Sequence, residues 1–133
     1  LRMRSVTSLL KLFEFEPPAS LAAFQPPSLA EVRTADWGEL KVDQQDTISL
    51  HDVDVLYIAG MRHDSVPIEE RPRFILTSAH LGTMASEGVV LCPMPCIDEI
   101  SSEARDDRRA KMFEQSDLGL FVRQAVLERM LME

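Results

Sequence analysis

Cysteine and histidine carry the readiest chemistry in this chain of 133 residues. Cys92 and Cys96 flank Pro93, Met94 and Pro95 within VVLCPMPCIDEI, residues 89–100. A Cys-x3-Cys spacing falls within the range of one half of a zinc knuckle, but no second pair of ligands accompanies it. The same pair could be a redox couple or an inert substitution. The missing second pair and the two prolines that stiffen the loop favour inert substitution. His51, His63 and His80 lie apart from it, so no metal and no cofactor is expected. No Ser/His/Asp order and no glycine-rich phosphate loop occurs. Asp98 and Glu99 suit hydrogen bonding at a loop or helix start, where carboxylates meet free amides.

These residues need elements to hold them. A helix is expected from about Ser5 to Phe15, stopped by Pro17-Pro18, because proline lacks an amide and restricts its predecessor. ASLAAF (19–24) and LKVD (40–43) read as short strands. VDVLYIAG (53–60) is almost continuously apolar, the pattern of a central parallel strand covered on both faces. RFILT (73–77) and GVVLC (88–92) are further strands, separated by a helix over SAHLGTMAS (78–86). Strands interleaved with helices imply an α/β fold: a parallel, Rossmann-like sheet flanked by helices on both faces.

From Asp106 to Met132 there is no proline and the single glycine is Gly119, so one helix or two abutting helices are expected. Leu118, Leu120, Phe121, Val122, Ala125, Val126, Leu127, Met130 and Leu131 leave only a narrow polar strip around it. A helix apolar almost all round must be covered on more than one side. Docking onto a further domain or subunit is favoured over burial within this domain.

Composition narrows the function classes. The hydrophobic fraction of 45% is too high for a disordered chain, and no apolar run approaches the roughly 20 residues of a membrane span. A net charge of −8 disfavours nucleic acid, whose phosphates require a basic face. Two cysteines make no disulfide framework and suit a reduced, cytoplasmic setting. The Leu-Arg-Met-Arg start, without an initiator methionine, suggests a piece of something longer.

Four stretches in order carry a resemblance: DVDVLYIAGMRHDS (52–65), RFILTSAHL (73–81), VVLCPMPCIDEIS (89–101) and DDRRAKMFEQSDLGLFVRQAVLERML (106–131). Together they resemble the second, amino-acid-binding domain of the aspartate/ornithine carbamoyltransferase family, on the aspartate side. LRMRSVTSLLKLF resembles the helix leading into that domain. The likeness covers essentially the whole chain and is weakest between Leu29 and Asp46, which looks shortened. It implies one domain over residues 1–133, with the carbamoyl-phosphate-binding domain absent from this chain. It also implies transfer of a carbamoyl group to the amino group of aspartate in pyrimidine biosynthesis. The implied partners are that missing domain, an amino-acid ligand, and a homotrimer or larger pathway assembly, with no nucleic acid and no membrane. Planar arginine forks for a dicarboxylate, and carbonyl acceptors for an attacking amine, make chemical sense of such a site. Positioning between two closing domains supplies much of the catalysis.

Position by position, the resemblance is imperfect. Where the family reads Thr-Arg-x-Gln, this chain places Gly60 at the arginine and Arg62 at the glutamine. Loss of a charge-assisted carboxylate contact costs on the order of 1.5–3 kcal/mol. Arg62, two residues on, points the same way if the segment is extended, and could reach a carboxylate or remain a solvated loop residue. The family's His-Pro-Leu-Pro-Arg becomes Cys92-Pro93-Met94-Pro95-Cys96, which keeps the prolines and the apolar bulk but loses the histidine and arginine. Arg2 or Arg4 could stand for the family's N-terminal arginine, or be exposed surface. Gln115 and Arg123 match the family's final helix, where a structural role is expected. The substrate-binding candidates implied are therefore Arg2, Arg4, Arg62, Pro93, Met94 and Pro95, with Gly60, Cys92 and Cys96 as altered positions and no catalytic residue assigned. An impaired or non-catalytic domain kept for assembly or regulation is favoured over an active enzyme of altered specificity.

Overall fold

The computed structural model describes residues 4–29, 40–61 and 66–132. The first helix, α1, spans Arg4–Phe15 and buries none of its residues. Strands β1 (Ala22–Phe24) and β2 (Asp43–Gln45) follow and pair in parallel, Ala23 opposite Gln44. The Gln25 amide extends the ladder by donating to the Gln45 carbonyl at 3.1 Å. β2 thus begins where the LKVD strand was expected to end.

β3 (Val55–Tyr57) and β4 (Val89–Leu91) form a second parallel pair, Leu56 opposite Val90. On its other side β4 forms a parallel bridge to Ala110. The Val90 amide donates to the Arg109 carbonyl at 2.7 Å, and the Lys111 amide donates to the Val90 carbonyl at 3.0 Å. β4 is therefore the inner strand, with Val90 fully buried. β3, expected to be covered on both faces, leaves Val55 57% exposed.

RFILT is not a full strand. Arg71–Phe74 is a 3-10 turn with Pro72 near its start, where the missing amide is tolerated. Only Leu76 joins a ladder, bridging Ile100 in parallel. Its amide donates to the Glu99 carbonyl at 2.8 Å, and its carbonyl accepts from the Ser101 amide at 2.9 Å. The SAHLGTMAS helix is likewise a single turn, α2 (Ser78–Leu81). At its start the His80 Nδ1 accepts from the Thr77 amide at 3.1 Å. At its end the chain tightens as the Thr83 amide donates to the His80 carbonyl and the Met84 amide to the Leu81 carbonyl. A β-carbon at Gly88 would crowd the Ala85 carbonyl oxygen at 3.1 Å in the next turn.

α3 (Ser102–Arg105) is a short turn whose Ala104 amide donates to the Ser101 hydroxyl at 3.3 Å. The core joins these pieces: Leu50, Leu76, Leu81, Met84, Val90, Cys92, Ile100, Ala104 and Met112 form one buried cluster. The last helix, α4, is unbroken over Met112–Met132 and buries only Met112. Leu118, Leu120, Phe121, Val122, Val126, Leu127, Met130 and Leu131 are each at least 54% exposed. The parallel α/β architecture is as expected, and the apolar helix lacks cover within the described residues. None of the described helices is long and apolar enough to cross a membrane.

Candidate functional site

The residues after β4 turn sharply. Cys92 is 3% exposed, and its amide donates to the Gln115 Oε1 at 3.1 Å, tying the loop to the first turns of α4. Met94 takes a φ of 60°, in the left-handed region, and the Met94–Pro95 peptide is cis. Pro93 and Pro95 are exposed, whereas Met94 and Cys96 are half-buried and pack on the core cluster. Arg105 closes the loop from below: its Nε donates to the Ile100 carbonyl at 3.1 Å and its Nη2 to the Ile97 carbonyl.

Glu99 joins this loop to the end of the β3 segment. Its Oε2 accepts from the Ile97 amide at 2.9 Å, and its Oε1 accepts from the Met61 amide at 3.0 Å. Burial alone would raise the Glu99 carboxyl. The amides of Met61 and Ile97, with those of Asp98 and Glu99 itself, prevail and hold it below the usual carboxylate range. Met61 follows Gly60, whose φ of 81° is open to glycine and strained for other residues. One buried carboxylate thus links the residue after Gly60 to the residue after Cys96.

Comparison with known proteins gives this framework a family. The chain is 28% identical over 140 residues to the aspartate carbamoyltransferase catalytic subunit of Alkaliphilus oremlandii, across 96% of this chain and 42% of that protein. It is 32% identical over 99 residues to the multifunctional protein CAD of Squalus acanthias, across 69% of this chain and 4% of that protein. Ligand-free aspartate transcarbamoylase of Trypanosoma cruzi has the same fold, with a TM-score of 0.79 at 24% identity over 93% of this chain and 44% of that one. This chain belongs to the aspartate carbamoyltransferase family. No protein-family model matches it. The chain spans less than half the length of each of these relatives.

Against the aspartate carbamoyltransferase pattern, Gly60, Cys92, Pro93, Met94, Pro95 and Cys96 belong to the two stretches that Glu99 links. Arg4 is exposed on α1, its side chain without a hydrogen bond or ion pair to any of the described residues. Arg2 and Arg62 lie outside the described residues, as do His63 and Trp37. Gln115 has the structural role expected of it, as the acceptor for Cys92. His80 is engaged with Thr77, its Nδ1 lying 2.9 Å from the Thr77 hydroxyl. Among the described residues no group of three or more His, Cys, Asp or Glu is placed to hold a metal ion. Sequence reasoning placed the Asp98–Glu99 pair in loop hydrogen bonds but missed that Glu99 reaches back to Met61. No local signal marks this contact, since Glu99 follows Asp98 and Ile97 is 63% exposed.

Proposed function

We propose that this chain is the amino-acid-binding domain of an aspartate carbamoyltransferase-like protein of pyrimidine biosynthesis, with catalysis lost or impaired and the fold kept for assembly or regulation. In this reading residues 1–133 are one domain, and a carbamoyl-phosphate-binding domain is its partner. Cys96 is the observation that carries it. An arginine belongs at this position in the family pattern, to offer a cation to the reacting groups. Cys96 instead packs its uncharged thiol against the core, and burial pushes that thiol further up, with Arg105 opposing. Gly60 removes a second cation from the same framework. Arg105 does not replace either one, because its guanidinium is engaged by the Ile97 and Ile100 carbonyls.

The prolines of the loop, with Met94 between them, still present backbone carbonyls suited to an amino group. Any carboxylate contact falls to Arg62, or to Arg2 or Arg4. The apolar surface of α4 suits docking against the carbamoyl-phosphate-binding domain, within a homotrimer or a larger pathway assembly in the cytoplasm. The Glu99 link between the two stretches favours a second reading, an active carbamoyltransferase acting on aspartate or another amino acid through Arg62. The test is an assay of the full protein with carbamoyl phosphate and a panel of amino acids. No turnover is expected, and turnover of aspartate at ordinary enzyme rates would overturn the reading. Binding of a bisubstrate analogue that is lost in Arg62→Ala would assign Arg62 to the ligand.

A further inference from the structure

One peptide group between Leu76 and Thr77 is fastened at both ends. The Leu76 carbonyl accepts from the Ser101 amide at 2.9 Å, and the Thr77 amide of the same peptide unit donates to the His80 Nδ1 at 3.1 Å. A backbone amide can only donate, so Nδ1 presents its lone pair and the single ring proton sits on Nε2. The Thr77 hydroxyl, 2.9 Å from Nδ1, is placed on the same side of the ring. A glutamate or glutamine ordinarily fills this reciprocal place at a helix start; here an imidazole does. Imidazoles ordinarily take up a proton between about pH 5 and 8, so this acceptor is one that neutral-range acid removes.

We propose that His80 is a pH-sensitive latch on the Leu76–Thr77 peptide, closed by the neutral ring and opened by a proton on Nδ1. With Nε2 already protonated, the incoming proton has only Nδ1 to occupy. It turns the acceptor into a donor facing the Thr77 amide, and the part-buried amide loses its partner. The closed latch binds one proton fewer than the open one, so it is lost as pH falls. Its release reaches further than α2. Leu76 is the one residue of the 71–81 segment in a ladder, and its carbonyl shares the freed peptide plane, so the bond from Ser101 loosens with it. Ser101 in turn caps α3 and follows the Glu99 link by two residues.

The charges around the ring leave the latch to His80. α2 carries no other titratable side chain. α3, packed against it, brings Glu103 and Arg105, and the Arg105 guanidinium is turned to the Ile97 and Ile100 carbonyls. Beyond the end of α2, Arg109 reaches the Met84 carbonyl at 3.4 Å while forked onto Asp107. No carboxylate among the described residues pairs with His80, so no ion pair holds the charged ring in place of the lost bond. The latch works whether or not the neighbouring loop binds a substrate.

The test is NMR of the full chain between about pH 8 and pH 5.5, where imidazoles titrate and Glu99, held below the usual carboxylate range, keeps its charge. Ring nitrogen shifts at the upper end should show Nε2 protonated and Nδ1 bare. Hydrogen-exchange protection of the Thr77 amide, corrected for intrinsic exchange, should fall about fivefold as the ring charges, the scale of a lost helix cap. The Ser101 amide should lose protection over the same range. His80→Gln supplies an acceptor that does not titrate and should keep Thr77 protection level and high. His80→Ala supplies none and should keep it level and low. His51 and His63 are unchanged in both variants, so their titration is controlled. A proton on Nδ1 at the upper end, level Thr77 protection in the unsubstituted chain, an equal fall in His80→Gln, or a Ser101 amide that does not respond would each overturn the proposal.

Discussion

The Glu99 carboxylate accepts the Met61 amide at 3.0 Å while accepting the Ile97 amide at 2.9 Å, joining residues 38 apart in sequence from two neighbouring strand ends. Glu99 is only 6% exposed, so replacing its carboxylate by a carboxamide leaves one part-buried backbone amide without its acceptor. Glu99→Gln keeps the size but turns an NH2 group towards one of those donors. A loss of about 1–3 kcal/mol is expected, read as a lower urea midpoint. Because the folded-state carboxyl lies below its ordinary value of 4.5, this contribution is present above that value and fades as pH falls through the folded pKa. The difference between the original chain and Glu99→Gln should therefore narrow below about pH 4.5. An undiminished difference at lower pH would mean that the carboxylate charge is not what holds the two stretches together.

Asp107 offers a second acid-sensitive contact, away from the loop. Its Oδ1 accepts from both the backbone amide and the Nε of Arg109, and its Oδ2 accepts from the Arg109 Nη2, each at 2.9 Å. This fork fixes the turn that brings the Arg109 carbonyl to the Val90 amide, and so sets the start of α4 against β4. The Arg109 hydrogen bond holds the Asp107 carboxyl well down, at about 2. Its stabilisation should be present above the ordinary 3.8 and be lost as pH falls towards about 2. Asp107→Asn is expected to lower the thermal midpoint at pH 7 and to have progressively less effect in that acid window. Amide exchange should quicken at Val90 and Lys111, the two residues paired through this turn. Unchanged exchange there would separate the ion pair from the strand contact.

The parts of the fold that were legible in the sequence are those set by local pattern. The proline pair at 17–18 ends α1, and the apolar runs at 53–60 and 88–92 contain the parallel pair β3–β4. RFILT misled because its apolar run also suits a buried turn: Pro72 favours the 3-10 turn over Arg71–Phe74 and leaves Leu76 alone to bridge Ile100. The order in the sheet was not legible either. A continuous apolar run marks burial, but it cannot tell an inner strand such as β4 from β3, where Val55 stays exposed. For the site, residue types singled out Gly60 and Cys96. That one glutamate ties their stretches together depends on long-range geometry, which no periodicity encodes.

Gly60 sits where the backbone itself favours glycine. With φ at 81°, it occupies a region where a side chain costs roughly 1–2 kcal/mol. Gly60→Ala and Gly60→Arg are both expected to lower stability by about that amount in urea titrations. Equal losses in the two variants would place the effect in the backbone. Under the proposed loss of catalysis, Gly60→Arg alone is not expected to give turnover, since Cys96 still lacks a cation. If Gly60→Arg proved neutral in stability, the turn would have to relax at low cost, and the glycine would be a loss of charge without a backbone reason.

The exposed face of α4 makes the largest claim on a partner. A helix of 21 residues that buries only Met112 gains little of its order from this domain. Apolar residues as large as Phe121, Leu127 and Met130, spread around most of the helix, are normally covered. Substituting Leu127→Glu and Met130→Gln should change the stability of this chain by no more than about 0.5 kcal/mol, as for other surface sites. The same pair should weaken association with the carbamoyl-phosphate-binding domain, measured by sedimentation of the separately supplied domains, and reduce self-association of this chain at high concentration. The helix start gives the contrast. Met112 is 1% exposed within the core cluster, and Met112→Ala should cost about 2–5 kcal/mol in this chain alone. If the two surface substitutions were as damaging as Met112→Ala, α4 would owe its cover to this domain; if they altered neither stability nor association, the apolar face would have no docking role.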